Sequence, residues 1–541
     1  MTIDLRPFLV AQGSPVAFLK TYRTVEMSAT ILVGVFLAAA FAAMALTPLV
    51  RTVAHRVDFV DRPDSHRKIH KTPTALGGGL AVLIAACCAM LAVAALSGAA
   101  REALAHYGKQ FAGIGAGVAF ICVVGLLDDA FRIAARYKLL GQIIAAGIVA
   151  QAGLGFEQIS VAGYTIELGM FAVPITIFWL VACVNAVNLL DGSDGLAAVV
   201  GMVLSLTVVA TAVTVGNWVT ALCAGALAGS LLGFLRYNAP PATIFLGDAG
   251  SMAIGLLAGS LTIQSNLKGA ATYAMLAPLA MWVIPLMDVG MAVVRRKLTG
   301  RSLSATDRSH LHHCLLDRGL TPRQLAVFVG SLCFFSGIGS WLTVRFSNSW
   351  FAILSSLAVV GFLVERRIFG HVEFQLAGHR LARLGRQLWS RGTTDTTAAW
   401  QSQVRMQGVR PWEELWAFLI DAVRELQVSH LTLDLNLPWL HEGYHASWMR
   451  PTKTSKNAVV RLTWPLTSGG RNMGTLSIVS DCDGDHIAWL EKMAEFLAEI
   501  NGRLPDIAVR EKDAASQAPL SATLRIDPAN VALREGAEAR C

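Results

Sequence analysis

Long apolar runs follow one another along the chain as far as residue 365, and each is close to the length needed to cross a membrane. The hydrocarbon core of a bilayer takes roughly 20 apolar residues in a helix. Such runs lack the polar stripe of a surface helix, which is typical of helices in lipid. The pattern predicts an all-α polytopic membrane protein with about 11 transmembrane helices. The segments are residues 29–50, 76–97, 110–127, 139–155, 171–189, 195–215, 217–236, 249–266, 270–294, 322–345 and 348–365.

The composition changes sharply after the last apolar run. PWEELWAFLIDAVRELQ has helical periodicity, SHLTLDLNL and NAVVRLTWPL alternate as strands do, and HIAWLEKMAEFLAEINGRL is an amphipathic helix. These elements predict a soluble C-terminal α/β domain with a faint similarity to GAF-like sensor folds. The predicted organisation is an N-terminal extension at 1–28, a membrane domain at 29–366, a linker at 367–410, the soluble domain at 411–505 and a disordered tail at 506–541.

The overall composition agrees with a membrane protein. Only 15% of the residues are charged, against roughly 25% in soluble domains. The formal net charge is +8, but the basic residues gather in the loops that follow odd-numbered spans. This is the positive-inside pattern, so the charge indicates topology rather than nucleic-acid binding, with the odd loops and the C-terminus in the cytoplasm. The nine cysteines are scattered without metal-ligand spacing and are expected to fill apolar space.

Polar residues that are unusual for a membrane protein gather in these same cytoplasmic loops. Burying an ionised carboxylate in hydrocarbon costs several kcal/mol, so such residues are rare without a function. Asp191 and Asp194 stand at the junction of two spans, and their i,i+3 spacing predicts that they share one helix face. The other clusters hold Arg67, Lys68 and His70; Asp128, Asp129 and Lys138; Asn238 and Asp248; and Arg301, Asp307, Arg308, His310, His312 and His313.

This mixture of side chains suits phosphoryl transfer. Carboxylates bind a hard cation, Mg²⁺ or Mn²⁺, and Arg, Lys and His donate charge-assisted hydrogen bonds to phosphate oxygens. A site at the membrane surface implies a lipid phosphate and a soluble anion as reactants. Taken singly, each cluster also fits a helix end, a turn or a topology signal, but five loops on one side favour a shared site.

A transporter and a receptor are the two alternatives to an enzyme. A transporter would carry polar groups near the bilayer midplane on repeated, broken helices, whereas these carboxylates lie at span ends and no repeat is evident. A receptor whose C-terminal domain carries the function would leave the membrane part inert. The coincidence of the five clusters argues against that.

These residues resemble the polyprenyl-phosphate N-acetylhexosamine-1-phosphate transferases, and among them the bacterial undecaprenyl-phosphate GlcNAc-1-phosphate transferase branch. Five motifs occur in family order over residues 28–366. Ala75 stands where the family's first motif has a second proline. The matching residues are Arg67-Lys68-Ile69-His70 with Pro73, Gly77 and Gly78; Asp128 and Asp129; Asn188, Asp191 and Asp194; Tyr237–Ser251, including Asn238 and Asp248; and Asp307–His313.

The resemblance implies a reaction in the inner membrane with the active site in the cytoplasm. Undecaprenyl phosphate attacks the β-phosphorus of a UDP-N-acetylhexosamine, and UMP leaves. The implied metal ligands are Asp248 and Asp128, and the implied catalytic residues are Asp128, Asp129, Asp191, Asp194 and His310, with one of the Asp128–Asp129 pair a candidate base. The implied substrate-binding residues are Arg67, Lys68, His70, Lys138, Asn188, Asn238, Arg301, Arg308, His312 and His313.

The last loop bears on the sugar. Relatives that transfer phospho-MurNAc-pentapeptide carry three consecutive histidines, whereas this chain reads His310-Leu311-His312-His313, the interrupted pattern of the GlcNAc branch. UDP-GlcNAc is therefore favoured, with UDP-GalNAc and other N-acetylated sugars open. A homodimer, and a polymer-assembly partner that docks on the C-terminal domain, are further expectations.

Overall fold

The structure is a computed structural model of the chain. Two compact units divide it, at residues 1–378 and 379–541. In the first unit, the described residues are 29–62, 73–161, 164–266, 275–299, 310–375 and 377–378. In the second unit, they are 381, 400–407, 411–425, 428–437, 442–450, 459–468, 471–481 and 493–500. The predicted N-terminal extension, most of the linker and the predicted tail lie outside these ranges.

The first unit is helical. Two short antiparallel hairpins accompany the helices, β1 (Val60–Asp61) with β2 (Thr74–Ala75), and β3 (Gln158–Val161) with β4 (Tyr164–Glu167). The helices are α1 (Ala29–Arg56), α2 (Gly78–Leu96), α3 (Gly98–His106), α4 (Gly108–Phe131), α5 (Ala135–Gln151), α6 (Ala172–Leu190), α7 (Leu196–Thr214), α8 (Trp218–Asn238), α9 (Gly247–Asn266), α10 (Leu276–Met281), α11 (Val283–Leu298), α12 (Leu311–Asp317), α13 (Pro322–Phe346) and α14 (Trp350–Glu365).

Seven helices in the described residues are long and apolar enough to cross a membrane. The chain is thus a multi-pass membrane protein, but the predicted count of about 11 spans is not confirmed. The seven are Ala29–Arg56, Gly78–Leu96, Gly108–Phe131, Gly169–Leu190, Leu196–Thr214, Trp218–Asn238 and Pro322–Phe346.

The apolar run predicted as one span at 270–294 is interrupted at Trp282, where α10 ends and α11 begins. Pro285 explains the break. A proline ring collides with the carbonyl four residues earlier, and proline has no N–H to donate to it. That earlier residue is Met281, the last of α10.

Glycines let α9 approach two other helices closely. A Cβ on Gly125 of α4 would lie 2.3 Å from the Cα of Ala249, and one on Gly79 of α2 would lie 2.0 Å from the Cα of Gly250. Any side chain at Gly125 or Gly79 would force these helices apart. The first turn of α9 is therefore held directly beside the last turns of α4.

The segment after α14 packs against α11. Phe369 is buried in the core of the unit, and a Cβ on Gly370 would lie 2.8 Å from the Cε of Met287. Beyond it, Glu373 accepts a hydrogen bond from the Arg295 guanidinium, and both side chains are almost fully buried. This ion pair holds the last turn of α11 against the segment that follows α14.

The second unit is built on a five-stranded antiparallel sheet. Its elements are β5 (Trp400–Gln407), α15 (Trp412–Glu425), β6 (Val428–Leu437), β7 (Glu442–Met449), β8 (Val459–Ser468) and β9 (Arg471–Asp481). The strand order is β5-β7-β6-β9-β8. Leu431, Leu433 and Leu435 lie on one face, in a core shared with Trp412 and Trp416 of α15. A helix at 493–500 adds Phe496 and Ile500 to that core.

We predict that Glu373→Gln destabilises the first unit by about 3–5 kcal/mol, because the buried Arg295 guanidinium loses the charge that faces it. The thermal unfolding midpoint in detergent should fall clearly. Glu157→Gln, which removes an exposed carboxylate, is the matched control and should leave the midpoint unchanged. An unchanged midpoint in Glu373→Gln would show that the pair contributes nothing.

Candidate active site

The candidate site lies where the last turns of α4 and α6 meet the first turns of α5 and α9. Arg132, in the left-handed conformation with φ 52°, ends α4. The chain turns back at once into α5 and carries Lys138 over the end of α4. Residues distant in sequence are thereby brought within hydrogen-bond distance of one another.

Lys138 joins the carboxylates of two helices. Its Nζ lies 2.8 Å from Oδ2 of Asp128 and 2.8 Å from Oδ2 of Asp248. The Asp128 and Lys138 side chains are only 10% and 18% exposed, and Asp248 is 31% exposed. One ammonium thus partly neutralises two negative charges where little water screens them.

Asp129 has a different environment from Asp128. Its Oδ1 accepts the N–H of Asp248 at 2.9 Å, and its Oδ2 accepts that of Ala249 at 3.2 Å. These N–H groups belong to the first turn of α9, where no carbonyl of the same helix can accept them. Asp129 therefore caps α9 from a neighbouring helix and fixes the backbone that carries Asp248.

Gly247 makes this cap feasible. It has φ +75°, a conformation that glycine adopts without strain, and a Cβ there would lie 2.7 Å from Oδ2 of Asp129.

Asn188, near the end of α6, completes the contacts of Asp248. Its Nδ2 donates to Oδ1 of Asp248 at 2.5 Å and to Oγ of Ser251 at 2.9 Å. Both oxygens of Asp248 are thus held by polar groups from other helices. The orientation of this carboxylate is set by α5 and α6 together.

The Asp191–Asp194 segment is a turn, and the prediction that the pair shares one helix face is wrong. Asp191 is the C-cap of α6, and α7 starts only after Gly195, which has φ +73°. Asp194 Oδ2 accepts the N–H of Ala242 at 2.9 Å, which ties the turn to the loop between α8 and α9.

Asp191 interacts electrostatically with the other carboxylates. Burial raises its pKa well above the usual range, and the negative charges of Asp248 and Asp129 raise it further. This environment favours the protonated form of Asp191.

The histidine segment 310–313 reaches the same loop. A Cβ on Gly192 would lie 2.6 Å from Nε2 of His312, so the ring packs directly against the turn. The His310 and His312 rings are parallel within 5°, and their centroids are 6.1 Å apart. The ring centroids of His312 and His313 are 4.2 Å apart. Burial and the neighbouring His313 lower the pKa of His312 to about 3. His312 is therefore a neutral imidazole at physiological pH.

Asn238 supports the loop before α9. It is buried, and its Nδ2 donates to the carbonyl of Ile244 at 2.9 Å. Beside this loop, an open cleft of about 630 Å³ is lined by Arg51, His55 and Arg56 of α1 and by Ala242 and Thr243.

The remaining candidates, in the loop between β1 and β2 and the loop between α11 and α12, lie outside the described residues. They are Arg67, Lys68, His70, Arg301, Asp307 and Arg308.

The structure adds residues that the sequence interpretation overlooked. Asp288 of α11 is fully buried and accepts the N–H of Leu311, 3.0 Å from its Oδ1. Gln142 of α5 and Asn185 of α6 exchange hydrogen bonds behind the site. A lone Asp in an apolar run was a usable signal, because an intramembrane carboxylate is a functional candidate by default.

The donor chemistry of the site fits a hard cation. Within the described ranges, no three His, Cys, Asp or Glu side chains are grouped as a metal site. Asp128 and Asp248 nevertheless present oxygens to one shared cation, the Lys138 ammonium. Carboxylate oxygens partly exposed to solvent suit Mg²⁺, which retains several waters and needs only one or two carboxylates.

Comparison with known proteins identifies the family. A model of the family described as Glycosyl transferase family 4 matches residues 111–266, the range that holds Asp128, Asp191 and Asp248. The Probable undecaprenyl-phosphate N-acetylglucosaminyl 1-phosphate transferase of Bacillus subtilis is 31% identical over 334 residues, which cover 61% of this chain and 90% of the relative. The chain belongs to the polyprenyl-phosphate N-acetylhexosamine-1-phosphate transferase family.

Further relatives carry related names. The Decaprenyl-phosphate N-acetylglucosaminephosphotransferase of Mycolicibacterium smegmatis is 32% identical, over 58% of this chain and 82% of the relative. A Phospho-N-acetylmuramoyl-pentapeptide-transferase of Thermoanaerobacter is 34% identical, over 47% of this chain and 78% of the relative. This member of the family is thus an enzyme of the sugar-1-phosphate transferase type, and the predicted family is confirmed.

We predict that Gly192→Ala lowers transferase activity about tenfold to a hundredfold, since the new Cβ displaces His312 and small displacements near reacting groups have effects of this size. Gly147→Ala is the matched control, because a Cβ at Gly147 meets no atom within 4 Å. Steady-state rates of both variants in detergent test this. Equal rates for the two variants would show that the contact between His312 and the turn is irrelevant to turnover.

Proposed function

We propose that this enzyme transfers GlcNAc-1-phosphate from UDP-GlcNAc to undecaprenyl phosphate and releases UMP. The observation that carries the proposal is the convergence of Asp128, Lys138, Asn188 and Asp248 at one end of the helices. The names of the relatives supply the reactants. The product is the lipid-linked first intermediate of a cell-envelope polysaccharide.

In the proposed reaction, an oxygen of the lipid phosphate forms a bond to the β-phosphorus of the UDP-sugar. The bond between that phosphorus and the oxygen that bridges to UMP breaks, and UMP leaves with the electron pair. Negative charge accumulates on the phosphate oxygens both when the lipid phosphate attacks and when UMP leaves. Catalysis therefore depends mainly on positioning the reactants and neutralising their charge.

The residues at the site have different roles in this reaction. Asp128 and Asp248 would hold Mg²⁺, or Mn²⁺, and the bound cation neutralises charge on the diphosphate. Lys138, which faces both carboxylates, is the protein's own cation for the phosphate oxygens. Asp129 keeps the first turn of α9 in place.

The nucleotide side of the site is formed by the turn between α6 and α7. Asp194 ties this turn to Ala242, and Gly192 packs on His312. A neutral His312 donates a hydrogen bond to a phosphate oxygen without adding charge, which leaves charge neutralisation to Lys138 and the metal.

The proposed membrane topology is supported by the charge pattern and by the helices. Beyond the seven long apolar helices, α5, α9, the α10–α11 pair and α14 would bring the number of crossings to about 11. The basic loops then lie on the cytoplasmic side of the bacterial inner membrane. The soluble UDP-sugar reaches the site from there, and the lipid phosphate arrives within the leaflet.

A muramoyl-pentapeptide donor is the second candidate, because such transferases are among the relatives. The histidine segment favours GlcNAc instead. Leu311, which interrupts the histidines, is buried in the core of the first unit, so this position serves packing here.

The direct test is UMP release by the purified protein with undecaprenyl phosphate, Mg²⁺ and a panel of UDP-sugars. We expect release with UDP-GlcNAc, loss on chelation of the metal, and recovery when Mg²⁺ returns. Asp248→Asn should reduce the rate at least about a hundredfold, because it removes a carboxylate that would hold the metal, and the metal's charge stabilisation is worth several kcal/mol.

Glu167→Gln, on an exposed hairpin strand, is the matched control and should keep the wild-type rate. Release with UDP-MurNAc-pentapeptide alone would replace the proposed sugar. Full activity in Asp248→Asn would overturn the proposed role of the site.

A further inference from the structure

Asp288 is a further carboxylate inside the first unit, on a helix that carries none of the carboxylates described above. It belongs to α11, which packs against α6, and its side chain is not exposed to solvent at all. A fully buried carboxylate is unfavourable unless other groups hold it. What it contacts therefore indicates why it is present.

Both described hydrogen-bond partners of Asp288 belong to the histidine segment. Oδ1 accepts the N–H of Leu311 at 3.0 Å and lies 3.3 Å from Nδ1 of His310. His310 is the N-cap residue of α12, and its own side chain makes no capping bond. Asp288 supplies that bond from another helix, so the start of α12 is fixed to α11.

The contact also gives the two ring nitrogens of His310 different roles. A carboxylate oxygen can only accept, so Nδ1, which lies 3.3 Å from Oδ1 of Asp288, is the nitrogen that donates to it. Nε2 is left as the nitrogen that can contact a reactant. The partner of one ring nitrogen commonly sets the chemistry of the other in this way.

The influence of Asp288 extends to the nucleotide side of the site. His310 lies parallel to His312, and His312 packs against Gly192, next to Asp191. A shift of His310 would therefore be transmitted to the turn that faces the carboxylates.

We propose that Asp288 is a positioning residue for the transfer reaction, which fixes His310 with its proton on Nδ1 and holds residues 310–313 against the Asp191–Asp194 turn. This inference rests on the proposed function, since it assigns His310 to the reaction. Asp288 itself touches neither reactant.

A double-mutant cycle separates positioning from a purely structural contribution. Asp288→Asn, His310→Gln and the double variant are compared with wild type in UMP release, with the UDP-sugar concentration varied. We expect Asp288→Asn to lower kcat tenfold to a hundredfold, the usual range for residues that orient a functional side chain, with KM changed less than about threefold.

The double variant should be no more than about threefold slower than His310→Gln, because Asp288 has nothing left to orient. Glu167→Gln is the control for loss of one carboxylate. Wild-type kcat in Asp288→Asn, or losses that multiply in the double variant, would overturn the proposal. If Asp288→Asn does not fold, the same cycle with Asp288→Glu applies, with a milder loss expected and the same criterion.

A second measurement decides the matter if His310→Gln is too slow for the cycle. In ¹⁵N-histidine spectra of the full chain, the signals of His310 are assigned by their absence in His310→Gln. They should show a protonated Nδ1 in wild type and a changed tautomer in Asp288→Asn, and an unchanged spectrum in that variant would refute the proposal. A wild-type protein that releases no UMP would instead refute the proposed function.

Discussion

The sharing of one ammonium group between two carboxylates is the interaction on which this site depends. Asp128 and Asp248 come from different helices, and their negative charges would repel each other at the edge of a low-dielectric region. Lys138 lies 2.8 Å from both and permits them to approach. Their approach concentrates negative charge in one place, where a divalent ion can bind. Lys138 already neutralises part of that charge.

Close helix packing is what brings the charges together. The contacts of Gly125 with Ala249 and of Gly79 with Gly250 allow α9 to lie beside α4 and α2. The cap that Asp129 provides then fixes the first turn of α9. The polar site therefore depends on the close glycine contacts, because a larger side chain at Gly125 would separate Asp129 from the two N–H groups that donate hydrogen bonds to it.

Much of this was predictable from the sequence, and the reasons are physical. Hydrophobic runs report burial in lipid directly, and carboxylates at span ends stand out against them, so Asp128, Asp191 and Asp248 could be picked out as candidates. The comparisons confirm the family that those motifs indicated. What failed was local geometry. The i,i+3 rule assumes a continuous helix, whereas α6 ends at Leu190 and α7 starts only after Gly195, so Asp191 and Asp194 lie in the turn between two helices.

Pairings between distant elements could not be predicted at all. Nothing in the spacing of residues indicates that Lys138 bridges two carboxylates, or that Asp288 caps α12 from α11, because such contacts depend on helix packing. Hydropathy likewise shows one apolar run at 270–294 and does not weigh the effect of Pro285 on the helix.

The most direct test of a cation site between Asp128 and Asp248 is the affinity for Mg²⁺ of wild type and Asp128→Asn, measured by calorimetric titration without nucleotide or lipid. The substitution removes an opposite charge from beside the metal, worth about 1–4 kcal/mol at such distances. The dissociation constant should therefore rise at least about fivefold in Asp128→Asn. An unchanged or lower constant would mean that these carboxylates do not form the metal site.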